Sequence, residues 1–510
     1  MQGNTNYVAA LLDMLAAGPD RPALHWKNQS VSGAELRRRV IVAARVMRGV
    51  GIGADDVVGI LTTTNSPDTL VARYAANLVG ATVTHLRATN AALTLEQLPV
   101  DDQLDILRDT PTTMLVVDKA NIERARQIRD RMPTPPAMAG FGALGTDFLD
   151  LTAHSGPAAI DWTVAEPTGT AMVTYTSGTT GRPKGIGRAF AVLAGIVAHA
   201  AASPDPAIML VITPLSHSVS ALADEALAAG GTLVLHESFD AGEVLQAVAE
   251  HRVTATYLAT PQIYSILDHP AVGSTDLSSL REVGYGGCPA SPDRLGQAVD
   301  VLGKVLIQTY GTTESAAITV LTPDEHLDTE LRGTVGRPLP FVQIEVRDPE
   351  THSQLPAGEV GEICVKSMLM MDGYWGDAEQ TDRTLRDGWL HTGDLGRVDD
   401  RGYVYLVGRM AEVIKTGGIK VHPTEIENAL LAHSDVAQAA VFGVTDGDNV
   451  EHVYAAVVPR PGVNTSPEQL CTLVSAILTP AHVPAHIELL ESMPMTDSGK
   501  PDKAKLKSLW

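Results

Sequence analysis

Ala171-Met172-Val173-Thr174-Tyr175-Thr176-Ser177-Gly178-Thr179-Thr180-Gly181-Arg182-Pro183-Lys184-Gly185 is the stretch whose reading decides the fold. Its opening, Ala171–Tyr175, is a short apolar and β-favouring run of the kind that forms a buried strand. Beyond Tyr175 the chain sets Gly178, Gly181 and Gly185 among hydroxyl side chains, ahead of a helical pattern that begins near Phe190. Glycines let the backbone turn its N–H groups inward, Thr176, Ser177, Thr179 and Thr180 add donors, and Lys184 adds a positive charge. That combination suits a polyphosphate. It is not a Walker A loop, which needs four residues between its glycines and Ser or Thr after the lysine, because here the order is Gly178-x-x-Gly181 and Gly185 follows Lys184. An ordinary surface turn draws on the same residue types, but the length and order of this one favour a ligand loop.

Working outward, short Val/Ile/Leu/Thr-rich runs alternate with Ala-rich helical segments from Asp55 onward, the rhythm of βαβ units building a largely parallel sheet. One block runs through Val57–Thr63, the helical Asp68–Leu78, Ala81–His85 and Met114–Asp118. A second runs through Ala171–Tyr175, Ile208–Thr213, Thr232–His236, Thr254–Ala259 and Val305–Gln308. After about Gly333 the pattern changes to strands with tight turns, among them Val342–Val346, Glu362–Lys366 and a hairpin over Arg397–Val407. The expected class is α/β: a large N-terminal domain, 1–408, of wound βαβ subdomains plus a β-rich subdomain, followed by a small mobile α+β C-terminal domain, 409–510.

Bulk composition bounds the function. With 510 residues and 44% hydrophobic content, the chain can bury more than one core. A net charge of -22 repels phosphate backbones and anionic lipid, which weighs against a nucleic-acid or membrane-surface partner. Cys288, Cys364 and Cys471 are too scattered for a zinc knuckle, a CxxC pair or a disulfide framework, a pattern that suits a reducing compartment. The stretch Met1–Asp20 has an apolar run without a preceding Lys or Arg, and no segment has the uncharged length of a membrane span. The expectation is a soluble cytoplasmic protein of undetermined oligomeric state.

Further motifs stand downstream of the loop: Tyr310-Gly311-Thr312-Thr313-Glu314, Gly361-Glu362-Ile363-Cys364-Val365, His391-Thr392-Gly393-Asp394-Leu395, Gly408-Arg409, Lys415-Thr416-Gly417-Gly418 and Thr496-Asp497-Ser498-Gly499-Lys500. Alone, each has an ordinary reading. A Thr-Glu pair after a strand is often a helix N-terminus, Asp394 a turn residue, Arg409 a surface ion pair and Lys500 a solvated lysine near a Lys-rich tail. Taken in order over nearly the whole chain, they resemble the superfamily of adenylate-forming enzymes that includes acyl- and aryl-CoA synthetases, firefly luciferase and peptide-synthetase adenylation domains.

The resemblance implies ATP, Mg²⁺ and coenzyme A as cofactors. It makes Glu314 the Mg²⁺ ligand, with Thr313 binding phosphate beside it, and it adds Lys184 and Thr176–Gly181 as the phosphate loop. It has Asp394 accept hydrogen bonds from the ribose hydroxyls, Arg409 contact ribose or phosphate, and Gly286, Gly287, Tyr310, Gly311 and Thr312 line the nucleotide. Tyr285, Gly286 and His217 are then expected at the acyl group. Lys500 would orient the carboxylate and neutralise the α-phosphate, which such chemistry needs because two anions must meet. The small domain would afterwards rotate, bringing Gly417 and Gly418 to a pantetheine tunnel.

The leading expectation is therefore an acid:CoA ligase. The alternatives are an adenylate-forming ligase that hands its product to an acyl-carrier protein or another acceptor, and a noncatalytic nucleotide-binding module. His217, in Pro214-Leu215-Ser216-His217, takes the place where peptide synthetases carry an aspartate for an amino group, which argues against α-amino acids. Val219, Ala221, Leu222, Tyr257, Ala259 and Thr260 point to a mainly apolar acid. The sequence departs from the pattern twice: Ala411 stands at a hinge position usually Asp or Lys, and Ile186-Gly187-Arg188 replaces a common Ser/Thr-His pair.

Overall fold

Runs that are apolar without alternation become strands buried on both faces. The computed structural model describes the chain outside residues 1–5, 88, 91–95, 154–159, 165, 177–182, 204, 218, 417–418, 449, 461, 497–498 and 510. The chain divides into two compact units. In the first (1–257, 276–280 and 369–383) the strands Thr82–His85, Val57–Leu61, Met114–Val117 and Ala137–Gly140 lie side by side and parallel. Every residue of Val57–Leu61 and Met114–Val117 is buried, as a parallel sheet covered on both faces requires. Strand β1 (Thr170–Thr176) joins this sheet parallel to Thr82–His85, and β2 (Lys184–Ala189) returns antiparallel along it. A second sheet in this unit takes Gln29–Ser32, Pro22–Trp26, Thr232–Leu235 and Ile208–Val211, with Ala255 and Thr256 pairing onto the last.

The first unit's interior contains a polar network. Helix α1 (Pro67–Leu78) carries Arg73, wholly buried, whose guanidinium donates to Asp224 on helix α2 (Val219–Ala228). Tyr74 donates to the same Asp224 oxygen at 2.5 Å. One turn on, Asn77 donates to the carbonyls of Ala81 and Ala171 at 2.8 and 2.9 Å, tying α1 to the start of β1. A buried charge without such partners costs several kcal/mol, so the network fixes how α1 and α2 pack.

The second unit (258–275, 281–368 and 384–510) pairs β3 (Glu282–Gly286) parallel with β4 (Leu306–Thr312), and Ala316–Leu321 returns antiparallel along β4. The β-rich part is an antiparallel run of β5 (Val342–Arg347), β6 (Gly361–Ser367), β7 (Trp389–Val398) and β8 (Val404–Arg409). The expected β7–β8 hairpin turns on Asp399, which accepts from the N–H groups of Arg401 and Tyr403, and on Gly402 at φ +83°. Beyond it, Val436–Thr445, Glu451–Pro459 and His486–Leu489 form a sheet packed by Pro423–Leu431 and Pro467–Ile477. Two apolar clusters here draw only on residues from Ile414 to Leu506. No helix among the described residues is long and apolar enough to cross a membrane.

His85 gives the first unit a pH signature. Burial first, then the charges of Arg73 and Arg87, push its pKa from 6.5 down to about 3, and its Nε2 has no hydrogen-bond partner among the described residues. The unfolded chain therefore takes up a proton below pH 6.5 that the folded chain refuses. Stability falls as pH drops from 6.5 toward 3, by about 1.4 kcal/mol per pH unit from this group. In urea unfolding across that range, His85→Gln is expected to lose this component of the slope, so the variant gains on the wild type as pH falls. Parallel pH profiles for the two proteins count against it.

Candidate active site

Strand β4 runs past Gln308, where the sequence pattern ends it, and continues to Thr312. Thr312 pairs with Ala316, so Thr313, Glu314 and Ser315 are the tip of a tight hairpin. Two features hold that tip. A Cβ on Gly311 would stand 2.0 Å from the Ala316 carbonyl oxygen, so only glycine fits, and Ala316 itself sits at φ +58°. Ser315 Oγ accepts from Thr312 N–H at 3.0 Å while its own N–H donates to Thr312 Oγ1 at 3.1 Å. Glu314 is thereby presented on a fixed backbone.

Asp394 is the centre of the site. Tyr310, on β4, donates its hydroxyl to Asp394 Oδ2 at 2.8 Å, and Arg409 Nε lies 3.1 Å from Oδ1. Asp394 and Arg409 are directly opposed on β7 and β8, which places the guanidinium over the carboxylate. Gly393, at φ +71°, turns the backbone, its N–H donates to Glu362 Oε1 at 3.1 Å, and Thr392 Oγ1 accepts from Asp394 N–H. Burial raises the Asp394 pKa, opposed by Arg409, by the Tyr310 hydrogen bond and by Lys500, while Glu314 adds to the rise. The Arg409 pKa is raised, chiefly by Asp394. A buried carboxylate with this many cationic and hydroxyl donors retains lone pairs for further ones.

Lys500 belongs to the same unit and the same field. A Cβ on Gly287, which has φ +84°, would stand 3.0 Å from Lys500 Cε, so the lysine side chain lies across the bare glycine just after β3. Its loop is fastened by Thr496, whose N–H donates to the Lys500 carbonyl at 2.7 Å, and by Gly499 at φ +78°, where a Cβ would press on Ala259. Gly286 ends β3 and Tyr285 precedes it with its ring buried, the hydroxyl 3.2 Å from Gln308 and 2.8 Å from His326. The Tyr285 side chain is thus occupied by the interior, and its backbone pairs with Gln308 on β4. Lys503 pairs with Glu412 at 2.8 Å and Glu427 at 3.0 Å, an ion triad in which Glu427 is buried, Lys503 half-buried and Glu412 exposed. Cys288, beside Lys500, has its thiol pushed up to about 11 by burial.

In the first unit, Thr176 pairs with Lys184 across β1 and β2, so a strand, β2, precedes the helix that begins at Phe190. A strand intervenes because Gly185 and Gly187 let it lie close. A Cβ on Gly185 would meet the Tyr175 ring at 3.0 Å, and Gly187 pairs with Gly373. Lys184 Nζ lies 5.6 Å from the Tyr374 ring centroid. Ser177, Gly178, Thr179, Thr180 and Gly181 lie outside the described residues, as do Gly417 and Gly418. The Ile186-Gly187-Arg188 departure has a structural role here: Arg188 is buried and donates to the Leu369 carbonyl at 2.9 Å, clamping residues 369–383 to β2. His217 closes a turn, its N–H donating to the Pro214 carbonyl at 2.9 Å.

The sequence profile of the AMP-binding enzymes matches residues 13–375, and that of the AMP-binding enzyme C-terminal domain matches 425–500. The chain belongs to the AMP-binding enzyme family. Within this adenylate-forming superfamily it is similar to a medium/long-chain fatty-acid–CoA ligase of Mycobacterium tuberculosis, 32% identical over 98% of this chain and 89% of that one. It is also 32% identical to a feruloyl-CoA synthase of an Amycolatopsis species, over 96% of each chain. Among solved structures, the amide bond synthetase McbA of Marinactinospora thermotolerans is 36% identical, with a TM-score of 0.88 over 99% of both chains. The large α/β region followed by a smaller C-terminal one is the architecture of this family.

The hairpin tip gives a direct test. Gly311→Ala drives a methyl group into the Ala316 carbonyl and is expected to destabilise the protein by about 1–3 kcal/mol. It should also shift Thr313 and Glu314, seen as loss of acid-dependent ATP–pyrophosphate exchange at temperatures where the variant is still folded. A folded variant with unchanged exchange means the tip tolerates the move.

Proposed function

We infer that this chain activates a mainly apolar carboxylic acid with ATP, forming acyl-AMP and pyrophosphate, and then passes the acyl group to the thiol of coenzyme A. The observation that carries the first step is Lys500 lying across Gly287 in one compact unit with Asp394, Tyr310 and Arg409. In that step a carboxylate oxygen bonds to the α-phosphorus as the bond to pyrophosphate breaks. Asp394 accepts from the ribose, Arg409 and Lys500 offset the added negative charge, and Lys500 orients the carboxylate. Glu314, a carboxylate on a rigid tip, fits a hard dication, and Mg²⁺ bound there supplies charge neutralisation along the phosphates. Thr176, Lys184 and the loop between them take the terminal phosphates.

In the second step the thiol sulfur bonds to the acyl carbon, AMP departs and the thiol proton passes to solvent. For that, residues 409–510 act as a lid that swings about Arg409–Glu412 after adenylation. A separate core from Ile414 to Leu506 lets the segment move as a body. The CoA-ligase relatives support a thiol acceptor. A second reading, acyl transfer straight to an amine, is favoured by the similarity to an amide bond synthetase and by Ala411 in the turn Met410–Glu412.

A panel of carboxylic acids assayed for ATP–pyrophosphate exchange tests the first step, and its failure with every acid removes the ligase reading. With an accepted acid, mass spectrometry after adding CoA, an amine or a carrier protein identifies the acceptor, and an amide without a thioester replaces the CoA reading. Lys500→Ala is expected to reduce exchange by about 10²-fold or more, of the order seen when one transition-state donor is lost. It should largely spare thioester formation from preformed acyl-AMP, and equal losses in both half-reactions argue against a swinging lid.

A further inference from the structure

A cluster of potential metal ligands lies on β6 and on β7, the strand that carries Asp394. Glu362 and Cys364 on β6 and His391 on β7 are all buried, and His352, in the β5–β6 connection, is exposed. The donor atoms of His352, Glu362 and His391 all lie within 4.8 Å of one another. Cys364 Sγ lies 3.5 Å from His391 Nδ1, beside these three donors rather than among them. The two imidazole rings stand edge to face, 5.7 Å between centroids. The backbone turn that carries His352 is pinned by Asp348, which accepts from the N–H groups of Glu350 and Thr351, and its carbonyl accepts from His352 N–H at 2.9 Å.

We propose that His352, Glu362 and His391 form a binding site for a transition-metal dication of the zinc class, separate from the Mg²⁺ that accompanies ATP. Two imidazoles and one carboxylate are a set that favours such an ion over Mg²⁺, which prefers oxygen alone. Without an ion, His391 Nδ1 and Glu362 Oε2 share a proton at 2.7 Å. Binding at Nδ1 moves that proton to Nε2 of the same ring, so His391 ligates as the neutral imidazole and Glu362 as the carboxylate. The ion also displaces Arg386, whose Nη1 lies 3.1 Å from His352 Nε2. Because Glu362 Oε1 accepts from Gly393 N–H, an ion that fixes Glu362 also fixes the backbone one residue before Asp394.

The test uses the full chain, stripped with a chelator and titrated with Co²⁺ as the spectroscopic probe. Expected are the intense ligand-field bands of a four-coordinate ion whose fourth ligand is water, abolished by Zn²⁺ and unaffected by Mg²⁺. His352→Ala, a change at an exposed turn residue, should weaken Co²⁺ binding roughly tenfold or more. Absence of these bands in the wild type overturns the proposal. So does a spectrum and affinity unchanged in His352→Ala, since the ion is then held elsewhere.

Discussion

A buried carboxylate is the constraint on which the rest of the second unit depends. Asp394 is almost fully removed from water, and an ionised carboxylate there is tolerated only with donors fixed around it. Tyr310 and Arg409 supply them from β4 and β8, so the parallel strands and the antiparallel β-rich segment must meet at this residue. Arg409 arrives as the cross-strand partner of Asp394, and its position follows from the β7–β8 register. A slip of that register by one residue would turn the guanidinium to the opposite face and leave the carboxylate unpaired.

Close backbone approach is the second constraint, and it acts through a few glycines. Gly311 brings the returning strand against β4 tightly enough that Thr313 and Glu314 form a rigid tip. Gly287 and Gly499 do the same for Lys500, one by leaving space for its methylenes and the other by letting its loop lie on Ala259. Long lysine side chains lose up to about 2 kcal/mol of rotamer entropy on being fixed. Burying the stem along a bare glycine and pinning the loop through Thr496 holds Lys500 in one region before any ligand arrives.

Much of this was legible in the sequence, for identifiable reasons. Val57–Leu61 and Met114–Val117 announce themselves as strands because both faces are buried and no polar residue interrupts them. The strands Pro22–Trp26 and Gln29–Ser32 do not, since one begins with proline and the other is polar at three of four positions, Gln29, Ser30 and Ser32. Strand β2 was hidden because Lys184–Ala189 reads as the tail of a loop, and its close pairing rests on glycines that favour no strand by themselves. The site motifs could be named from their order along the chain. That Tyr310 and Arg409 share one carboxylate, that Thr392 and Glu362 hold its loop, and that Lys503 pairs with both Glu412 and Glu427 are contacts of residues far apart in sequence. No local pattern encodes them.

The bulk charge and the local charge point in opposite directions, and magnitudes decide between them. A chain with net charge -22 should repel a nucleotide polyphosphate. Yet the Debye length at physiological ionic strength is about 8 Å, so carboxylates on distant surfaces are largely screened. A cation about 4 Å from a phosphate oxygen contributes about 4 kcal/mol at an effective dielectric of about 20. Arg409 and Lys500 both act on the buried Asp394, each lowering its pKa, so both are close enough to impose their field on an anion bound beside it. Local cations therefore outweigh the global charge at this point. The same acidity elsewhere disfavours extended polyanions, whose binding needs a continuous basic face that a short-range cluster does not provide.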